Sequence, residues 1–488
     1  MSTVLKKRDL QMTQGPILYK VIRFMLPLMA TNLLQVFYNA ADMMVVELSG
    51  VENAVGAVGT TSSFVTLITN VFIGFSVGAN VLVARNIGAK NDKGVSNAVH
   101  TAVCMSVIFG LAGGVIGIAV SRPVLTLMGT PDSLIGLATT YTYIYFAGIP
   151  FISLSNYLIS IFRAKGDTRT PLFVLMSSGV LNVLLNLFFV LVCGLSVEGV
   201  ALATVIANLA SAVVLMLILR RDGGPCRLYL RRLRIDRAAF LGIIGIGLPA
   251  GIQGALFSVS NMLIQSSILR LNNSLVAELG TPASYEPVIK GNAATLSLEN
   301  FAFTAVNAVH QAAVTFTGQN AGAKRYDRVK RVLGVCLLVE GCVAVAITAL
   351  LLLLHEPLLA LYGVRAVESD PVAMLAYNTA KTRIYVKWLP FLFYAALDVC
   401  NAVLRGLGKS MTSTAVSLVG TCFFRVAWIY TVFRALFSLE SLYVSYPISW
   451  AMSATASFIC IVVILRRRIR AQQLEDKTCS IKGESPAT

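Results

Sequence analysis

The sequence predicts an all-α integral membrane protein of twelve transmembrane helices, arranged as two parallel six-helix repeats. Three observations predict it. Of the 488 residues, 56% are hydrophobic and only 13% charged, against about half apolar and about a quarter charged in soluble domains. Apolar runs of about 20 residues or more, the length that crosses a hydrocarbon core of about 30 Å, recur along the whole chain. Motifs of the first half also return in the second.

Apolar runs bounded by charge clusters place spans near 18–48, 54–84, 96–121, 136–162, 170–194, 196–219, 238–272, 291–319, 330–355, 380–404, 411–436 and 441–465. A transmembrane barrel is excluded by the length of these runs and by the lack of alternating ten-residue segments. The first run follows Lys6, Lys7 and Arg8 and continues to about residue 48 with no small-residue cleavage site. It reads as a retained helix, not a signal peptide. The nine cysteines lie apart, without CxxC or metal-like spacing, and read as small hydrophobes.

The +17 net charge is a topology signal. Of the 40 Lys and Arg, 31 fall on the N-terminal flank, the even-numbered loops and the C-terminal tail. The odd-numbered loops hold only Arg122, Lys290, Arg365 and Arg434. Basic residues stay on the cytoplasmic side, so both termini are expected there, with some attraction to anionic lipid. No nucleic-acid partner is implied. The tail, 466–488, is polar and expected to lack order beyond its basic start.

The repeat shows in three pairs. "RNIGAKNDKGVSNA" (85–98) returns as "QNAGAKRYDRVKRV" (319–332), "FRAKGDTRTP" (162–171) as "LRGLGKSMTS" (404–413), and "LPLMATNLLQVFYN" as "LPAGIQGALFSVSN". An even number of spans per repeat returns the second half in the same orientation, as in parallel-repeat carriers. The expected domains are 1–226 (N-lobe), 227–237 (the basic linker "RLYLRRLRIDR"), 238–466 (C-lobe) and 467–488 (tail).

Inside span 1, Asn32, Gln35, Asn39 and Asp42 are spaced 3, 4, 3, within an arc of roughly 80° at about 100° per residue. Such a stripe belongs against the bundle interior or a wet cavity. An ionised Asp at the bilayer centre costs at least ~3 kcal/mol on insertion scales. Desolvation favours the neutral acid and a nearby cation favours the carboxylate. Asp42 is therefore a proton site, a Na⁺ ligand, or both in competition. Alternatively, an Asp near the span end reaches the headgroups. Span 5 carries Ser178, Asn182 and Asn186 at i, i+4 and i+8, and Thr204 lies in span 6.

The motifs quoted above, with "FTGQNAGAKRYDRVKR" (316–331), "RAKGDTRTPL" (163–172), "EGVALATVIA" (198–207), "LRGLG" (404–408) and "LPAGIQGALFSVSNMLIQS" (248–266), resemble the multidrug and toxic compound extrusion (MATE) family. The resemblance runs from about residue 20 to 465, closest in style to the bacterial drug-exporter branch. It implies two lobes forming a V-shaped cavity, and monomeric export of drugs or toxins, often cationic, across the bacterial cytoplasmic membrane. It implies exchange for H⁺ or Na⁺, with no other cofactor and no enzymatic step. The family's N-lobe cation site is matched by Asp42, Asn182 and Thr204. Asn186 departs from it, standing where the pattern has Asp, which leaves the coupling ion open. In the family a proline at Pro27 lets span 1 bend; it is equally a tolerated membrane proline. Gln35, Asn39, Gln253, Asn261, Asn307, Gln311 and Asp398 are expected to line the substrate cavity. An alternative within the same superfamily is flipping of a lipid-linked saccharide or other amphiphile, which usually calls for a cationic cavity.

The remaining polar residues are less directive. Glu340, Asp398 and Arg425 lie well inside spans 9, 10 and 11, and an ion pair of Arg425 with an acid is expected. Lys381 and Arg383 read as headgroup anchors, and Lys387 as a residue that could meet an anionic substrate. Glu299 reads equally as cavity lining or as a helix–helix contact. His100 and His310 lack metal-ligand neighbours. No GxxxxGK[ST] motif is present, so ATP is not expected as the direct energy source.

Overall fold

The computed structural model describes residues 10–481 except 52, 53, 281, 283 and 284. Lys6, Lys7 and Arg8, part of the loop between Glu278 and Pro287 and the last tail residues lie outside the described residues. Hydrocarbon offers no partner for a backbone N–H or C=O, so each apolar run closes its hydrogen bonds within itself. Accordingly the described elements are helices, and no strand occurs among the described residues. The longer ones, in chain order, are α1 (Ile17–Leu48), α2 (Ala54–Gly88), α3 (Asp92–Leu127), α4 (Asp132–Ala147), α5 (Ile149–Lys165), α6 (Arg169–Val192) and α7 (Val197–Arg220). They continue as α8 (Arg237–Glu278), α9 (Pro287–Gly322), α10 (Tyr326–Leu353), α11 (Pro371–Trp388), α12 (Leu392–Gly406), α13 (Ser410–Leu436) and α14 (Leu439–Ile481).

Among the described residues, nine helices are long and apolar enough to cross a membrane, or eleven segments when each of two bent pairs counts as one. The bent pairs, α4–α5 at 49° and α11–α12 at 53°, fall on the spans expected at 136–162 and 380–404. Pro150 in the first turn of α5 and Pro390 at the second break have no N–H to carry a helix through. The run expected at 291–319 falls on α9, whose 36 residues include too many polar groups to count among the eleven. The tail also differs from its expectation: α14 continues to Ile481, through a segment of good helix formers, "RRRIRAQQLEDK".

Two compact units divide the chain. One contains Ile22–Ser258 and the stretch up to Met12; the other contains Val259–Thr488 and Thr13–Val21. This division by compactness runs through α8. The first unit is centred on Ala79, Val99, Met105, Tyr157, Leu158 and Leu215 of α2, α3, α5 and α7. Residues 227–237 lie on α3. The Tyr229 N–H donates to His100 Nε2 at 3.1 Å while His100 Nδ1 bonds Ser96 O at 2.7 Å, and the Asp236 N–H donates to Thr101 Oγ1 at 3.0 Å. The Tyr229 ring has the Arg227 and Arg232 guanidinium carbons each 5.0 Å from its centre.

The second unit is built on large aromatics, with Trp388, Phe391 and Tyr443 fully buried. Its main polar tie joins α9 to α11. Glu299, 0% exposed, accepts Arg383 Nε at 2.9 Å, Arg383 Nη2 at 2.8 Å and Lys387 Nζ at 2.6 Å. Arg383 also reaches Asn292 Oδ1, which Tyr443 on α14 bonds at 3.2 Å. Arg383 is thus not a headgroup anchor, and Lys387 is engaged within the protein. Arg425 does not pair with an acid; it donates to Ser449 Oγ at 3.0 Å and lies 4.1 Å over the Tyr446 ring. The stretch Thr13–Val21 joins this unit through Arg325 and Arg328, which donate to the carbonyls of Thr13, Gln14 and Gly15.

Breaking one partner of a buried ion pair costs about 3–5 kcal/mol, because an uncompensated charge remains. Glu299→Ala strands two buried cations, so it should lower the thermal midpoint in detergent sharply. Replacing Glu299, Arg383 and Lys387 together by Met should recover most of the loss, and a triple variant no more stable than Glu299→Ala would contradict this account.

Candidate functional site

Asp42 reaches its partners through a close helix crossing. On α6, Gly179 presents no side chain, and the Tyr38 ring of α1 occupies the space a Cβ would fill. Tyr38 OH donates to Met176 O at 3.2 Å, fixing the crossing. One turn further along α1, Asp42 arrives beside Asn186, whose Nδ2 donates to Asp42 Oδ1 at 2.5 Å. The same Nδ2 lies 3.5 Å from Asn182 Oδ1, and Asn182 Nδ2 donates to Thr204 Oγ1 on α7 at 3.4 Å. Thr204 in turn donates to its own helix at Val200 O, 3.0 Å.

The structure therefore brings all four sequence-predicted residues, Asp42, Asn182, Asn186 and Thr204, into one chain of contacts inside the first unit. Asn186 is 0% and Asn182 6% exposed, while Asp42 is partly open. Asn186 Oδ1 is buried with no donor, an unsatisfied acceptor on the same amide that binds Asp42, the kind of group a small cation can complete. Two residues beyond Asn186 the helix widens into a π turn, Phe188–Val192, a device frequent at functional sites.

Tyr141 and Tyr145 of α4 lie within electrostatic reach of Asp42, their rings 6.2 Å apart and stacked. Sequence reasoning missed them, since tyrosines four apart in a span read as ordinary aromatic packing.

The other expected residues are placed as follows. Gln35 and Asn39 are exposed on α1. Pro27 lies inside α1, its carbonyl accepting Thr31 Oγ1 at 2.8 Å. Gln253 is buried on α8 and Asn261 exposed; on α9, Asn307 is exposed and Gln311 buried. Asp398 on α12 is joined to His310 of α9, Oδ1 to Nδ1, at 3.0 Å. Among the described residues, no group of three or more His, Cys, Asp or Glu is placed to hold a metal ion.

Fold and site together define a multi-pass α-helical membrane protein with an ionisable group held inside its spans. The chain belongs to the MatE family, whose model matches residues 27–188 and 249–431. It is similar to the "Probable multidrug resistance protein YoeA" of Bacillus subtilis, 26% identical over 441 residues, covering 88% of this chain and 90% of that protein. It is also similar to "Multidrug export protein MepA" of Staphylococcus aureus, 23% identical over 469 residues, covering 95% and 97%. Among solved structures, an outward-facing multidrug resistance MATE family transporter of the MOP superfamily matches with a TM-score of 0.83. That match has 18% identity over 95% of this chain and 99% of that one, a likeness of fold.

Overpacking a close contact costs about 1–3 kcal/mol and shifts backbone. Gly179→Leu should push α1 off α6 and widen the distance between spin labels placed at exposed positions of the two helices, with Gly179→Ser changing it less. An unchanged distance in Gly179→Leu would show that this crossing does not set the position of Asp42.

Proposed function

We propose that the chain is a secondary active multidrug exporter, exchanging cytoplasmic organic compounds, often cationic, for H⁺ or Na⁺. The observation that carries the reading is the Asp42–Asn186–Asn182–Thr204 chain, a carboxylate held among amides and a hydroxyl with one acceptor, Asn186 Oδ1, left without a donor. Names of relatives such as the multidrug export protein MepA support the substrate class.

The chemistry follows from the amides. With its NH₂ turned to Asp42, Asn186 stabilises the ionised carboxylate. Rotating that amide by half a turn presents Oδ1 beside the carboxylate, and these oxygens with Thr204 Oγ1 form an oxygen set suited to Na⁺. A proton instead adds to Asp42 itself. Either event neutralises the one carboxylate of this group. An ion that binds one conformation more tightly than another shifts the population between them, and α1, with Pro27 removing a backbone bond, is the element such a shift would bend.

The membrane is read as the bacterial cytoplasmic membrane, with both termini inside and the protein acting as a monomer among lipids. A substrate cavity including Gln35, Asn39, Gln253, Asn261, Asn307, Gln311 and Asp398 belongs to the same reading. Flipping of a lipid-linked saccharide would call for free cations facing the substrate. Arg383 and Lys387 are instead taken up by Glu299.

Ethidium or norfloxacin efflux from proteoliposomes, under a pure ΔpH or a pure Na⁺ gradient, tests the proposal. Wild type should respond to one of them, and Asp42→Asn should lose the response while keeping its thermal midpoint in detergent. Efflux at the wild-type rate from Asp42→Asn vesicles would remove Asp42 from the mechanism.

A further inference from the structure

Glu340 lies on α10 with 0% of its surface exposed, and neither of its carboxyl oxygens meets a hydrogen-bond donor. It faces a second carboxyl, that of Asp398 on α12. Asp398 is held from α9 by His310, Nδ1 to Oδ1 at 3.0 Å. Two carboxylates are acceptors only, so face to face in a dry site they repel. A single proton shared between them replaces the repulsion by an O–H···O bond, and the pair then titrates as a unit.

The internal repeat shows that packing alone does not ask for these charges. With "RNIGAK" (85–90) set on "QNAGAK" (319–324), and "FRAKG" (162–166) on "LRGLG" (404–408), His310 corresponds to Ser76, Glu340 to Ser106 and Asp398 to Asn156. In the first unit these three are satisfied within their own helices: Ser76 Oγ by Ile73 O, Ser106 Oγ by Val103 O, and Asn156 Nδ2 by Ile152 O. Neutral groups therefore suffice to fill the equivalent positions. The second unit holds two acids and an imidazole there instead, and one of those acids is left without a donor.

The groups around the pair come from several elements. His310 approaches from α9 and Cys336 from α10, while α12 supplies Tyr394, Cys400 and Arg405. From α11, Arg383 and Lys387 are occupied by Glu299. From α13, Arg425 stands near Tyr394 but is stacked on Tyr446 of α14.

We propose that Glu340 and Asp398 form a proton-binding carboxyl pair in the second unit, oriented by His310, whose proton is taken up from water and returned to it during the export cycle. Uptake places H⁺ on a carboxylate oxygen as O–H; release restores the carboxylate. The coupling role rests on the exporter reading above; the proton-holding role does not.

The test uses full-length protein in liposomes. In an infrared pH titration, wild type should show a protonated-carboxyl C=O band that Asp42→Asn retains, that Glu340→Gln abolishes, and whose frequency Asp398→Asn shifts by removing the second carboxyl. Glu340→Gln resembles the protonated acid in shape, so its thermal midpoint should match wild type, which separates loss of the band from loss of fold. With ethidium as probe, ΔpH-driven efflux should fall in Glu340→Gln to the level of protein-free liposomes. No such band in wild type, or an unchanged one in Glu340→Gln, overturns the carboxyl pair whether or not the chain exports ethidium. Loss of the band with undiminished ΔpH-driven efflux overturns the coupling role alone.

Discussion

A polar group held inside hydrocarbon can be satisfied only by another part of the chain, and the rest of this structure depends on that constraint. It makes the apolar runs helical, because a helix closes its own backbone hydrogen bonds. It also decides which polar side chains can be carried inside. A stranded charge costs several kcal/mol, whereas an exposed ion pair contributes about 0–1 kcal/mol. The position of Glu299 is therefore set less by attraction than by the penalty of leaving it, Arg383 or Lys387 alone. Helix α9 illustrates the consequence. It is long but polar, and it is carried within the second unit with Asn292, Glu299, His310 and Gln311 all buried there.

What the sequence reveals follows the same division. Apolar run length is local, so the spans could be read from residues in order. The chain Asp42, Asn182, Asn186, Thr204 was legible because spacings of four place Asn182 and Asn186 on one helical face, and because the motifs resemble a known family. Partner choice is not local. Glu299, Arg383 and Lys387 sit 84 and 88 positions apart in pairs, and nothing in the order of residues says that Arg425 takes an aromatic face and a serine hydroxyl in place of an acid. The bends at Gly148 and Pro390 were equally hidden, since apolarity continues through them while the helix does not.

Aromatic residues were the other blind spot. Tyr141 and Tyr145 carry the same letters as any membrane-interface tyrosine, yet they lie within electrostatic reach of Asp42. Tyr446 lies between two cations, Lys387 Nζ 4.2 Å and the Arg425 guanidinium carbon 4.1 Å from its ring centre. A cation over a ring face is worth about 2 kcal/mol or more when desolvated. Part of the stabilisation that sequence reasoning assigned to an acid is thus supplied by π faces, while Asp398 takes His310 as its partner.

The replacement of an expected Asp by Asn186 gains meaning from this arrangement. With two carboxylates, the site on α1 and α6 would stay charged after binding one monovalent cation, and it would need a fixed counter-charge in every state. On the proposed exporter reading, with Asp42 alone one proton or one Na⁺ would make the group neutral, and its loss would restore a single negative charge. The cost of that charge then differs most between a wet and a closed surrounding. On that reading, a site neutral when loaded and charged when empty would favour opposite conformations in its two states, and the amide of Asn186, able to donate or accept by rotation alone, would serve both.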